Sequence, residues 1–326
     1  MKPISVSFCS GIGGFDKGAK LGGFETIYQS DIWKAAQSVF HHNYKGKSKF
    51  PADDYRTTEG VFELMGIDIA NFESIQKFIY ENSEDKRFIN RGDVDLMLSG
   101  SPCQGMSGVN PYANSFNFTN RLMLDQLRIA NDLQVKVALF EQVPGFLHDR
   151  IKDFRLEFTG MLDKMDKYTY IRKELNAMKF GAGQDRNRVI FMLVRKDIGL
   201  ASFPPKHKEV NKAYHLDRLF PQYHYFKEAG SKGEPKETRN TFFNTMTASG
   251  NYYFYNKDGE QSRMTIDEKL KVSKLEGYDL SCLDERDENG KRLFSESDKG
   301  KLIGNMVQID FAKALTEHIR INILKR

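Results

Sequence analysis

The sequence predicts an α/β fold: an open parallel sheet covered by helices, carrying a small loop-rich domain. Two observations predict it. Over the first two-thirds of the 326 residues, short β-rich apolar runs alternate with helical patterns. After Lys196 the alternation stops among prolines and "AGSKGEPKETRN" (229–240), and helical periodicity returns only towards the C-terminus. The expected division is residues 1–196 with 297–326 as one domain and 197–296 as the second.

Each element follows from its local pattern. "ISVSFC" (4–9) reads as a first strand, followed by a glycine turn and a helix from Phe15 to Lys20. "FETIYQS" (24–30) is the second strand, and "IWKAAQSVFHHNY" (32–44) is helical. "DLMLSG" (95–100) and "VALFEQV" (137–143) are further apolar runs bounded by polar loops. "YTYIRKEL" (168–175) and "RVIFMLVRK" (188–196) form a late pair of strands. "TIDEKLKVSKLEGY" (265–278) and "NMVQIDFAKALTEHI" (305–319) read as the closing helices.

An apolar content of 40% with 12% aromatics is that of a folded globular chain. No window approaches 18 consecutive apolar residues, so no transmembrane helix is expected, and the N-terminus reads as a strand rather than a signal peptide. Cys9, Cys103 and Cys282 are odd in number and far apart. They argue against a disulfide framework or a zinc site, and for a reducing, cytoplasmic compartment. The net charge is +5, and residues 195–244 hold ten Lys/Arg against six Asp/Glu, interleaved with Tyr214, Tyr223, Tyr225 and Phe226. That mixture suits a phosphate backbone, although a lysine-rich solvated surface has the same composition.

"SGIGGFDKG" leaves the first strand and opens a helix, the context of a nucleotide-binding turn. Gly11, Gly13 and Gly14 allow positive φ and close approach of a ligand. Asp31, twenty residues beyond Gly11, ends the second strand, where a carboxylate accepts both ribose hydroxyls. The same pattern suits a dehydrogenase, or a tight turn with Asp31 as a helix cap. Ligands of open α/β sheets bind outside the carboxyl ends of the strands. "SPCQG" (101–105) and "EQVPGF" (141–146) fall at such ends, so Cys103 and Glu141 share one crevice. "QDRNR" (184–188) sets Arg186 and Arg188 two apart, on one face of a strand.

In order along the chain, "SGIGGF", "SDIW", Asp68-Ile69, "SGSPCQGMS", "LMLDQLR", "EQVPGF", "QDRNR", "MTIDEKLKVSKLEGY" and "IGNMV" resemble the DNA (cytosine-5) methyltransferases of bacterial and phage restriction-modification type, over nearly the whole length. The resemblance implies a class I S-adenosylmethionine-dependent methyltransferase fold, a Rossmann-like sheet with residues 197–296 as a small target-recognition domain. It implies Cys103 as nucleophile on carbon 6 of a flipped-out cytosine. Arg186 then supplies positive charge beside the thiol, Arg188 holds the loop or the base, and Glu141 holds ring nitrogen 3 and the exocyclic amine. S-adenosylmethionine would be held by Gly11, Ile12, Gly13, Gly14, Asp31, Ile32, Asp68, Ile69, Pro102, Leu122, Asn305 and Val307. Gln104, Ser107, Gln184 and Thr245 would contact double-stranded DNA. The loop 105–121 would close over that DNA. The implied protein is a monomer, without a metal or a membrane, beside a cognate restriction endonuclease acting separately.

Several features depart from the family pattern, among them "AGQ" (182–184) where Pro-Gln is commoner and longer stretches from Asp31 to Asp68 and from Asp68 to Cys103. Cys9 stands where Phe or Tyr packs on the adenine, Asp31 where Glu reaches the ribose, and Gln142 where Asn follows the glutamate. A tRNA cytosine-5 methyltransferase and a non-catalytic nucleic-acid-binding relative are the alternatives. Trp33 reads as a packing residue, and His41 and His42 as facing solvent.

Overall fold

The computed structural model describes residues 2–44, 71–82, 86–108, 110–207, 209–229, 234–248 and 250–326. Asp68 and Ile69, expected at the adenine, lie outside these residues. The central sheet has six strands: β1 (Ile4–Phe8), β2 (Glu25–Ser30), β3 (Leu96–Ser99), β4 (Val137–Gln142), β5 (Tyr168–Asn176) and β7 (Asn187–Arg195), in the order β2-β1-β3-β4-β7-β5. The strands are the predicted apolar runs to within about a residue at most ends, as expected for segments buried on both faces. One feature corrects the all-parallel expectation: β7 runs antiparallel to both β4 and β5. The short path from β5 into β7, through β6 (Gln184–Asp185), reverses the chain instead of crossing over it.

Helices cover both faces. On one face α3 (Phe72–Asn82), α4 (Arg121–Asp132) and α5 (Lys152–Asp163) pack with Val6, Phe8, Met97, Phe140 and Phe191. On the other, α1 (Gly14–Leu21) and α9 (Ile309–His318) pack with Leu96, Leu98, Leu139 and Ile190. Gly14, Gly18 and Gly22 form a stripe at helical spacing on and just beyond α1. A Cβ on them would collide with Met306 and Val307, Ala312 and Thr316 respectively. The missing side chains let the closing helix approach α1 backbone to backbone, and Thr316 Oγ1 bonds Gly18 O at 3.2 Å.

The closing segment is not one helix over 305–319. α8 (Glu296–Asn305) stops at Met306, which is extended (φ −66°, ψ 140°), before α9 begins. That break turns Met306 and Val307 onto Gly14. Likewise α7 (Ile266–Val272) is shorter than the periodic stretch 265–278, opening on a capping box between Thr265 and Glu268.

Beyond Lys196 the chain is loop-rich, with α6 (Leu216–Leu219) and an antiparallel sheet of β8 (Tyr225–Glu228), β9 (Lys236–Glu237), β11 (Tyr252–Tyr255) and β12 (Gln261–Arg263). β10 (Phe243–Asn244) returns to pair with β6. Phe220, Phe226, Phe243 and Phe254 share a buried cluster with Ile12, Ala36 and Val39 of the first part. Trp33 packs against that cluster. His42, expected simply to face solvent, pairs with Asp279 at 2.6 Å.

Candidate active site

The site is built at the carboxyl ends of β1, β2, β3 and β4 and the start of β7. After β1 the chain turns over Ser10–Gly13, with Gly11 (φ 56°) and Gly13 (φ 81°) in the left-handed region that favours glycine. Gly14 is helical, and its missing side chain serves packing. Gly11 N donates to Asp31 Oδ2 at 2.7 Å and Trp33 N to Asp31 Oδ1 at 2.8 Å. Asp31 therefore holds the turn, and burial raises its pKa.

A nucleoside cofactor fits this arrangement. A carboxylate has about four acceptor sites, so Asp31, with the backbone N–H groups of Gly11 and Trp33 accepted, keeps capacity for a ribose hydroxyl. A Cβ at Gly11 would meet nothing within 4 Å, so the space over the turn is open. Val307 is brought to the turn, while Asn305 ends α8 with its side chain exposed. Pro102 and Ile32 are half-buried. Ile12 and Leu122 are core residues, so a ligand can meet Ile12 chiefly through its backbone.

Cys103 follows β3 and is partly exposed. Glu141 and Arg188 face each other diagonally on the antiparallel strands β4 and β7, since Glu141 is opposite Ile190. Their Oε1 and Nε lie 2.5 Å apart, both largely buried. Arg186 sits between β6 and β7, outside the strand on which both arginines were expected, and is 2% exposed. It donates to Met246 O at 3.0 Å and Gly304 O at 2.9 Å, tying the small sheet's lead-in to α8. Burial lowers its pKa to about 9, with Arg188's charge adding to the effect.

Burial raises the Cys103 pKa; Arg188, then Arg186, work against it, while Glu141 adds to it. Both arginines lower the Cys103 pKa, Arg188 more than Arg186, but desolvation of the thiolate outweighs them.

The loop after Cys103 is tethered to its neighbours. Met106 packs where a Cβ on Gly145 would collide. Arg150 donates to Asn110 O at 3.2 Å and Ser107 O at 3.0 Å, and its own carbonyl accepts from Ser115 N at 3.2 Å. Gln104 is exposed and Ser107 half-buried. Thr245 Oγ1 donates to Asp185 O at 3.0 Å. Gln184, expected at the DNA, is fully buried. Its Nε2 donates to Ser273 Oγ at 2.7 Å and its Oε1 accepts from Met246 N at 3.2 Å, so both ends of the amide are spent inside the protein.

Two residues escaped the sequence reading. Arg150 is one; its only signal is a basic residue, among others, shortly after "EQVPGF". Gln126 is the other, a polar residue on the buried face of α4.

Residues 4–282 match the family of C-5 cytosine-specific DNA methylases. The Type II methyltransferase M.FnuDI of Fusobacterium nucleatum is 26% identical over 221 residues, 66% of this chain and 54% of its own. M1.HphI of Haemophilus parahaemolyticus is 28% identical over 222 residues, 67% and 52% of the two chains. The chain thus spans about half the length of these curated relatives. Among solved structures, a prophage-encoded E. coli protein described as a DNA modification methyltransferase superimposes with a TM-score of 0.65 over 99% of this chain and 100% of its own, at 15% identity. A mutant of Spodoptera frugiperda DNMT2 gives 0.60 over 99% and 100%, at 16% identity. At such identities the likeness is one of fold, that of the class I methyltransferases. Matched from β1 almost to the end of the loop-rich segment, and folded as that class folds, the chain belongs to the C-5 cytosine-specific DNA methylase family.

Proposed function

We propose that this protein methylates carbon 5 of a cytosine flipped out of a specific double-stranded DNA sequence, through a transient bond from Cys103 to carbon 6. The observation that carries the reading is a half-buried cysteine beside a buried carboxylate–guanidinium pair, at the sheet edge next to an open glycine turn. S-adenosylmethionine would be held at Asp31 and the Gly11–Gly14 turn with Pro102, Asn305 and Val307, and would supply an electrophilic methyl group.

Cys103 loses its proton to solvent, and Arg188 and Arg186 offset part of the cost of the buried thiolate. Attack of Sγ on carbon 6 moves an electron pair towards carbon 5. Glu141, oriented by Arg188, accepts from the exocyclic amine and engages ring nitrogen 3 as charge builds there. After methylation, loss of the carbon-5 proton to water restores the double bond as the bond from Sγ to carbon 6 breaks. The base must leave its stack to reach this edge, at a cost of a few kcal/mol. The loop 105–121 and the basic residues after Lys196 are the parts able to hold the DNA, with Gln104, Ser107 and Thr245 as contacts. The relatives' Type II names suggest a separately acting restriction endonuclease as partner, and the chain is read as a monomer in a cytoplasmic setting.

Tritiated cofactor offered with plasmid DNA and with total tRNA tests the substrate: label in DNA is expected, and label confined to tRNA overturns the reading. DNA bearing 5-fluorocytosine should trap a covalent adduct that Cys103→Ser abolishes. An undiminished adduct with that variant would remove Cys103 from the role.

A further inference from the structure

Gln126 lies on the face of α4 turned to the sheet and is 1% exposed. Its amide reaches two chain segments at once. Nε2 donates to Cys9 Sγ at 3.2 Å, just after β1. Oε1 accepts from Ser101 Oγ at 2.9 Å and also from Ser99 Oγ, at the end of β3. The two hydroxyls are 3.1 Å apart, and Gln142 Nε2 donates to Ser101 O at 3.1 Å. β1 and β3 are neighbours, with Phe8 opposite Ser99, so the glycine turn and the segment "SPCQG" leave the sheet side by side. One buried amide joins their roots.

The chemistry of the set is self-consistent. Cys9 stays a neutral thiol, its pKa pushed up to about 12 by burial, and accepts the amide N–H. Its backbone is left-handed (φ 54°), a conformation a non-glycine residue holds only when its surroundings fix it. Ser101 immediately precedes Pro102 and Cys103, so the position of its hydroxyl and carbonyl sets where the thiol begins. Cys9 and Gln142 are also positions at which the sequence departs from the family pattern, and here both contribute to one polar network.

We infer that Gln126 is a positioning residue: through Ser99 and Ser101 it seats the segment bearing Cys103, and through Cys9 it holds that seat against the glycine turn. The inference rests on the reading of Cys103 as the nucleophile.

Two variants test it. Gln126→Leu removes donor and acceptor at similar size; Gln126→Glu keeps an acceptor and, when protonated, a donor as well. The first readout is the rate of Cys103 alkylation by iodoacetamide, followed by peptide mass spectrometry between about pH 6 and 9. The second is methyl transfer to plasmid DNA, resolved into kcat and cofactor KM, with thermal melting as the folding control. Gln126→Leu should change the alkylation rate by about threefold or more, lower kcat by about tenfold or more and raise the cofactor KM. Gln126→Glu should resemble the parent at the acid end and approach the leucine variant as its carboxyl ionises. Alkylation and kcat both within about twofold of the parent in Gln126→Leu would overturn the inference. If that variant does not fold, Ser101→Ala and Gln126→Glu carry the test, and parental values across the pH range in both overturn it equally. A parent that methylates no DNA sinks the functional reading alone, because the alkylation readout still reports the seat of Cys103.

Discussion

Replacing Arg188 by methionine leaves Glu141 in place without its counter-charge. The pair is 2.5 Å apart, with side chains only 7% and 10% exposed, so water does not replace the lost partner. Stranding one member of a buried pair costs about 3–5 kcal/mol. For a chain of this length the melting entropy is roughly 0.7 kcal/mol per kelvin, so the melting temperature should fall by roughly 4–7 °C. The same substitution removes the stronger of two cations opposing the burial of Cys103, so the pH midpoint of thiol alkylation should move up. Scanning calorimetry and pH-dependent alkylation measure the two effects on one sample. Adding Glu141→Gln to Arg188→Met should recover much of the lost stability, since the uncompensated charge is then gone. A single variant melting within a degree of the parent, with an unmoved alkylation midpoint, would refute the view that Arg188 neutralises Glu141 and steadies the thiol.

Three further outcomes are expected. Asp16, in the first turn of α1 and 4% exposed, has its pKa raised to about 7 by burial. The folded state therefore holds a proton that the unfolded chain releases above about pH 4, so stability declines from about pH 4 to 7 by a total of about 4 kcal/mol. Asp16→Asn should flatten that decline in pH-dependent denaturant melts; an unchanged slope would show Asp16 ionising freely. Gly14→Ala gains about 1 kcal/mol of helix propensity but drives a Cβ into Val307 O. It should lower both the melting temperature and cofactor affinity by calorimetry, and a more stable variant with normal affinity would contradict the close approach. Gln184→Leu leaves Ser273 and Met246 N without their buried partner, at about 1–3 kcal/mol, yet should leave the methylated sequence read by bisulfite sequencing unchanged. A changed target sequence would return Gln184 to the DNA.

Residue types, their order and the strands were legible in the sequence by itself, because apolar runs and glycine turns are local signals. That is why Cys103, Glu141 and the Gly11–Asp31 turn could all be assigned to the carboxyl ends of strands. The direction of β7 was not legible, since a strand buried on both faces reads alike in either sense. Nor was the break at Met306: "NMVQIDFAKALTEHI" is helical in composition, and only packing on Gly14 requires the extended residue. The stripe Gly14, Gly18, Gly22 was visible as spacing, while its partner, α9, lies nearly three hundred residues away. Gln184, read as a DNA contact, is buried as a strut, and Gln126, which the sequence reading passed over, joins two loops. Sequence alone determined which chemical groups the chain brings to the sheet edge. Tertiary structure decided which of them face each other and how much water remains, and hence that Arg188 rather than Arg186 pairs with Glu141 and that burial raises the Cys103 pKa. Those outcomes depend on strand register and desolvation between segments far apart in the chain, which no local pattern encodes.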